Sequence, residues 1–176
     1  MVTCDSESGL TLTNSYLAGA LSIGVQSNNS VLVFDVVFPV SPSDGTLFEM
    51  GGGGQGTWIG LRDSGTVFRA RSGDGGNQPP NTSTGAVFVD ITDFPADGLT
   101  HTVVWEIQIN PGRGRLWIDG VFKGESFIDG GSSIENGRWA GGASGMFLTG
   151  GNSNVNGEPS GNWSGGSTGE FRWYDN

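Results

Sequence analysis

Residues 101–109 read HTVVWEIQI and residues 110–120 read NPGRGRLWIDG. In the first run His101, Val103, Trp105, Ile107 and Ile109 fall on one side of an extended chain. Thr102, Val104, Glu106 and Gln108 fall on the other, which is the two-residue period of a strand with one buried face. In the second run Leu116 and Ile118 oppose Arg115, Trp117 and Asp119 in the same way. Asn110-Pro111-Gly112 lies between the runs, with proline presetting φ and glycine expected to accept a positive φ. Asp119-Gly120 separates two apolar runs by two residues, the strongest short hairpin signal in a sequence. Asp63-Ser64-Gly65 plays the same part between WIGLR and TVFRA. Neighbouring antiparallel strands follow.

The rhythm extends over the chain. Strands are expected near 10–13, 18–25, 31–38, 46–50, 57–62, 66–71, 86–91, 101–109, 114–119, 121–127, 145–149 and 169–174. Glycine at 33 positions and proline at 7 leave Val25–Phe38 as the longest stretch free of both, and it ends in the β-branched and aromatic run VLVFDVVF. A helical bundle is thereby excluded. So are collagen, because the glycines keep no three-residue period, and a membrane-spanning helix, because no apolar run approaches about 20 residues. The length of 176 residues suits one domain, 1–176, of all-β, antiparallel two-sheet sandwich class. Two segments break the rhythm, SGDGGNQPPNTSTG at 72–85 and GGNSNVNGEPSGNWSGG at 150–166, and loops of that length are commonly functional or poorly ordered.

Eighteen acidic residues against eight basic ones give a net charge of −10, spread along the chain. Such a surface repels phosphate backbones and anionic membranes, so neither nucleic acid nor membrane insertion is expected, whereas calcium and neutral glycans stay open as partners. Cys4 is the only cysteine, so no intrachain disulfide and no thiolate metal site can form. The beginning, MVTCDSESGL, lacks the basic segment and apolar core of a secretory signal.

Three pieces of the sequence carry a family likeness: DGTLFEMGG with WIGLRDSGTVFRARSG, DGLTHTVVWEIQINPGRGRLWIDGVFKGES, and the closing GEFRWYDN. Together they resemble the laminin-G-like, concanavalin A-like lectin and glucanase β-sandwich superfamily over about four-fifths of the chain. The resemblance implies a jelly-roll topology, with the last strand returning to the sheet near the N-terminus. It also implies a calcium ion at one rim with a glycan beside it. The wording DGTLFEMGG, INPGRGRLWIDG and ENGRWAGG is similar to domains in structural proteins of marine tailed bacteriophages.

Catalysis is not expected. A retaining glycanase needs two carboxyl groups about 5–5.5 Å apart, whereas Glu125 and Asp129 lie roughly 13 Å apart along a strand with Phe127 between them. A nucleophilic hydrolase would need a Gly-x-Ser-x-Gly elbow and a histidine to serve it; the elbow is absent, and His101, the sole imidazole, reads as a strand-start residue satisfied by backbone. Calcium takes six to eight oxygens, and Asp44, Asp74, Asp93, Asp97, Asp129 and Glu158 fall in loops that could supply them, though turn acids also cap backbone N–H groups. Trp105, Trp117 and Trp173 lie within strands and are expected to pack against the sheets, while Trp58 opens a strand and reads either way. Trp139 and Trp163 stand in glycine-rich loops, where a ring either stacks on a sugar face or folds back over the core. The first alternative makes Trp139 and Trp163, with Asn152, Asn154, Asn156 and Asn162 as partners for hydroxyls, the candidate ligand-binding residues.

Two functions fit. One is a noncatalytic protein of the virion surface of a tailed bacteriophage, a head decoration or similar, contacting capsid or tail subunits and presenting loops to cell-surface or environmental glycans. The other is a calcium-assisted carbohydrate-binding module of a secreted, extracellular enzyme or adhesin. Neither reading requires a cofactor, and Ca2+ is the one candidate for a bound ion.

Overall fold

The alternation of apolar and polar positions produces two antiparallel sheets, each turning its apolar side toward the other. The computed structural model describes residues 10–11, 29–52, 55–73, 85–134, 145–148, 155, 157–165 and 170–175. Among these residues the strands are β1 (Leu10–Thr11), β2 (Ser30–Val37), β3 (Gly45–Gly52), β4 (Gln55–Arg62), β5 (Val67–Gly73), β6 (Ala86–Ile91), β7 (Thr100–Gln108), β8 (Arg113–Ile118), β9 (Val121–Phe127), β10 (Gly145–Leu148) and β11 (Glu170–Asp175). They form a six-stranded sheet of order β1-β11-β2-β7-β8-β9 and a five-stranded sheet of order β10-β3-β4-β5-β6. The chain changes sheet between β2 and β3, β6 and β7, β9 and β10, and β10 and β11, which is the jelly-roll arrangement. The expected strand at 18–25 lies outside the described residues.

Register and burial follow the sequence pattern. Leu32, Phe34 and Val36 of β2, Val103, Trp105 and Ile107 of β7, and Leu116 and Ile118 of β8 form the inner face of the larger sheet. Phe48, Met50, Ile59, Leu61, Phe68, Ala70, Val87 and Val89 face them from the smaller sheet. The returning strand β11 pairs with β2 and β1, bringing the two ends of the chain into one sheet. Trp105 lies at the centre, fully buried, and its Nε1–H donates to Ser72 Oγ of the opposite sheet at 3.0 Å. Its indole occupies the space that a side chain at position 114 would need, since a Cβ on Gly114 would come within 2.2 Å of Cη2.

The turns behave as their residues dictate, with one exception. Asp119 and Gly120 both take positive φ, 52° and 74°, so the β8–β9 hairpin has the twist-matched two-residue loop. Asp63, Ser64 and Gly65 do the same at 56°, 62° and 78°. The exception is Gly112, which follows a cis Asn110–Pro111 bond and does not take a positive φ. The position is crowded instead, because a Cβ would lie 2.6 Å from Ile128 Cδ1 and that side chain would have to shift.

Filling the space beside Trp105 tests this packing. Gly114→Ala should lower the unfolding free energy by about 1–3 kcal/mol, the usual cost of overfilling a packed core. Urea denaturation of both proteins measures the difference.

Candidate functional site

A sheet in a two-layer sandwich ordinarily gives its outer face to water. The five-stranded sheet does not. Register sets Glu49, Trp58, Arg71 and Phe88 side by side across β3, β4, β5 and β6, and sets Thr46, Gly60, Arg69 and Asp90 in a second such row. All these positions alternate with core residues, so their side chains stand on the outer face. Nevertheless Thr46, Glu49, Trp58, Arg69 and Arg71 are buried. The Trp58 indole lies over Gly60, where a Cβ would meet Cζ2 at 2.7 Å, and its Nε1–H donates to Thr46 Oγ1 at 3.1 Å.

The segment 157–165 helps to cover this face. Thr46 N–H donates to Gly161 O at 2.9 Å, Thr46 Oγ1–H donates to Pro159 O at 2.8 Å, and Thr46 forms a parallel bridge with Asn162. Gly45 permits the approach, because a Cβ there would lie 2.5 Å from Asn162 O. The segment carries Glu158 inward. Its carboxylate, with no exposed side-chain surface, accepts from Arg69 Nη1 at 3.0 Å and Arg71 Nη1 at 3.1 Å through Oε1, and from Arg62 Nη1 at 3.3 Å through Oε2. Arg69 also grips Asp90 with two bonds of 2.6 Å, and Arg62 reaches Asp63 at 3.1 Å. Burial by itself would lower the pKa of Arg69, but the Asp90 hydrogen bonds and the Glu158 and Asp90 charges outweigh it and hold the guanidinium above its ordinary range. Arg69 further lies 4.9 Å over the ring of Phe88, a half-buried residue of the edge strand β6.

Three of the chain's eight basic residues therefore converge on one carboxylate. Sequence reasoning missed this cluster. The signal was the run Phe68-Arg69-Ala70-Arg71, whose alternation puts two arginines on one face of an interior strand, where isolated charges are costly.

Of the residues expected from the sequence to bind a ligand, Trp163 and Asn162 are among the described residues. Trp163 belongs to the core: it is 6% exposed and meets Phe38 and Phe68 edge-on at 5.9 and 6.5 Å. For this ring the burial matches the fold-back alternative and not the sugar-stacking one. Asn162 is exposed, and its backbone bridges β3. Trp139, Asn152, Asn154 and Asn156 lie outside the described residues. Trp58 and Trp105 are buried, Trp117 is half-buried against Phe122 at 5.6 Å, and the Trp173 side chain lies outside the description. Among the loop acids considered for calcium, Glu158 is held by arginines, Asp93 by Lys123 at 2.9 Å, and Asp44 accepts from Gly65 N–H at 2.9 Å. Asp74 and the Asp129 side chain are not described. Among the described residues no group of three or more His, Cys, Asp or Glu is placed to hold a metal ion.

His101 also departs from expectation. It is satisfied by two carboxylates instead of backbone, with Nδ1 2.6 Å from Asp119 Oδ2 and Nε2 3.0 Å from Asp97 Oδ1, and its ring packs on Phe38 at 5.9 Å. Partial burial disfavours the imidazolium, but the hydrogen bonds to Asp119 and Asp97 outweigh it and raise the His101 pKa above 6.5. The His101 hydrogen bond is the main cause that lowers Asp97 below 3.8; for Asp119, burial pulls upward and the same histidine overcomes it.

The outer face of the six-stranded sheet is more open. A cleft of about 460 Å³ is lined by Pro111, Arg113, Glu125, Phe127 and Ile128, with Arg113 and Glu125 ion-paired across its wall. A smaller one of about 160 Å³ lies between Asn29, Glu106, Gln108 and Tyr174. No helix among the described residues is long and apolar enough to cross a membrane.

No protein-family profile and no curated protein matches the sequence. Solved structures match in fold. The CBM40 domain of Ruminococcus gnavus IT-sialidase aligns with 94% of this chain and 89% of its own, at TM-score 0.63 and 12% identity. The same domain bound to α2,3-sialyllactose covers 84% of this chain and 76% of its own, at TM-score 0.58 and 12% identity. Domains LG4-5 of the mouse laminin α1 chain align with 91% of this chain and 39% of that one, at TM-score 0.60 and 14% identity. Likeness at such identities shows the lectin-like jelly-roll sandwich expected from the sequence.

Two measurements check the site's anatomy. Trp163→Ala should lower the unfolding free energy by about 3–5 kcal/mol, as for a large core aromatic. The His101 clamp should be pH-dependent with a defined sign. The raised histidine contributes stability below 6.5 that is lost as pH rises through its folded value, and the lowered aspartates contribute above 3.8 and lose it as pH falls through theirs. The stability difference between the wild type and His101→Gln should therefore peak between those two values and shrink on either side in a urea-unfolding series.

Proposed function

We propose that the protein is a noncatalytic saccharide-binding module whose ligand face is the outer side of the five-stranded sheet, at the β5–β6 edge. The observation that carries this reading is the furnishing of that edge. Phe88 supplies a ring, the Arg69 guanidinium lies over it, and Asp90 and Arg62 stand within the same network. A sugar presents an apolar ring face and a fan of hydroxyls; the half-buried Phe88 ring offers area to the first, and the exposed Asp90 carboxylate, held in place by Arg69, accepts from the second. Fold neighbours include a domain whose structure holds sialyllactose, which supports a saccharide as the ligand class.

The noncatalytic reading rests on the state of the acids. Glu158 and Asp90 are bound to guanidiniums, and Glu125 to Arg113, so these carboxylates are held as ion pairs and not poised as a nucleophile and an acid. Calcium assistance remains part of the proposal as a rim ion, to be tested by chelation. A place on a virion surface would make the same face an adhesive one; the comparisons lend that location no support, and the binding reading does not depend on it.

Calorimetric titration of neutral and acidic oligosaccharides, with and without EDTA, tests the assignment. At least one glycan should bind, Phe88→Ala should weaken it by about tenfold, and Trp163→Phe should leave it unchanged. Absence of binding across the panel removes the function; unchanged binding in Phe88→Ala moves the site to another surface, with the Phe127–Tyr174 clefts next in line. Loss of binding in EDTA, restored by added calcium, would establish the ion.

A further inference from the structure

The outer face of the six-stranded sheet carries an unbroken apolar row, where a face given to water would be polar. Register sets Phe122, Trp117, Val104 and Val33 side by side on β9, β8, β7 and β2. Phe122 is 51% exposed and the other three are half-buried. The next row reads Glu125, Arg115, Glu106, Val31 and Tyr174, with Arg115 bound to Glu106 and Tyr174 exposed. Among the described side chains of β2, β7, β8, β9 and β11, the charges that face this way cancel: Asp35, Glu106 and Glu125 against Arg113, Arg115 and Arg172. In a chain of net charge −10, a second copy meets little repulsion on such a face. Pairing along the edge of the sheet is opposed. The register of β9 on β8 shifts between Leu116 and Trp117, and Lys123, in the shifted stretch, is held to Asp93. A bulge and an edge lysine keep a strand from adding another.

We propose that this face is the interface of a two-fold dimer, with a second copy of the chain as its occupant. An axis running along the strands between β7 and β8 lays β7 on β8 of the second copy and β2 on its β9. Trp117 then meets Val104 of the second copy, Phe122 meets Val33, and Arg115 meets Glu106, each contact occurring twice. Apolar groups thus fall on apolar groups and opposite charges on each other in a single arrangement, which is the self-complementarity a two-fold interface requires. Stacked sheets keep their strands within about 30° of one another, so the contacts nearest the axis survive the twist. Glu125, paired with Arg113, and Asp35, bonded to Thr102, fall at the border, and Arg172 lies outside it. Four strands at about 4.8 Å and six residues at about 3.4 Å give a footprint of about 400 Å² a copy, at the low end of specific interfaces, so the dimer is a weak one. In it the two five-stranded sheets face away from each other, about 30 Å apart across four layers spaced by about 10 Å. Two ligand faces so placed would bridge separate glycan-bearing surfaces; this consequence rests on the saccharide reading, and the dimer does not.

Sedimentation equilibrium of the full chain without glycan, from about 10 µM to about 1 mM, tests the interface. The apparent mass should rise with concentration from 18.3 kDa toward twice that value. Phe122→Asp, Arg115→Glu and Glu106→Arg should each weaken the dimer about tenfold or more. Mixing Arg115→Glu with Glu106→Arg should restore association to within about threefold of the wild type, because each copy then meets an opposite charge on the other. The double variant Arg115→Glu/Glu106→Arg, which keeps the pair within each copy, should dimerise unmixed. A wild type that stays at 18.3 kDa up to about 1 mM overturns the inference. So does a dimer that Phe122→Asp does not weaken and the mixture does not restore, which moves the contact to another surface. A monomer that loses glycan binding in Phe122→Asp makes this face a sugar site and likewise overturns the dimer. A monomer that loses glycan binding in Phe88→Ala removes the dimer and leaves the saccharide function standing. A dimer with the expected variant effects that binds no glycan keeps the interface and removes that function.

Discussion

Buried charge has to be neutralised where it lies, and on the outer face of the five-stranded sheet this requirement shapes everything that covers it. Arg69 and Arg71 are fixed there by the alternation of β5, because Phe68 and Ala70 must face the core. Once they are under cover, carboxylates must come to them. Asp90 is supplied by the neighbouring strand, and Glu158 by a segment that folds across the sheet. The glycine at 45, the Thr46 hydrogen bonds and the core placement of Trp163 all serve to hold that segment where Glu158 can reach.

The two sheets consequently differ in character. The six-stranded sheet has a conventional outer face, with Arg115 paired to Glu106, Arg113 to Glu125, and Val121, Phe122, Phe127 and Tyr174 exposed. Such surface pairs contribute little to stability and leave shallow clefts between them. The five-stranded sheet carries a layer of its own, in which Trp58, Arg71 and Glu49 are as inaccessible as core residues. An aromatic group of Phe38, Phe68, Phe94, His101 and Trp163 closes the sandwich beside it, so loop anchor and core are continuous.

Most strands were legible because their cause is local. The alternation in HTVVWEIQI and RGRLWI reappears as buried and half-buried positions in β7 and β8, and Asp119-Gly120 turns as its residues require. The site was far less legible. Trp163 sits in a glycine-rich stretch that resembles a binding loop, and only contact with Phe38 and Phe68 makes it a core residue. His101 looked like a strand-start residue served by backbone, yet Asp97 and Asp119 enclose it from the turns on either side. Gly112 lies in the expected turn, but without the positive φ, and the close approach of Ile128 is what a side chain there would meet.

By itself the sequence determined the all-β class, the positions of most described strands and the face each side chain would take, since these depend on a two-residue period and on turn residues a few positions apart. Only the tertiary structure decided that the outer face of one sheet would be buried, that Glu158 would meet arginines 87 to 96 positions distant, and that Trp163 would join the core. Pairings across such separations are set by how the sheets stack and where the connecting segment crosses them, and no local pattern of residues encodes that geometry.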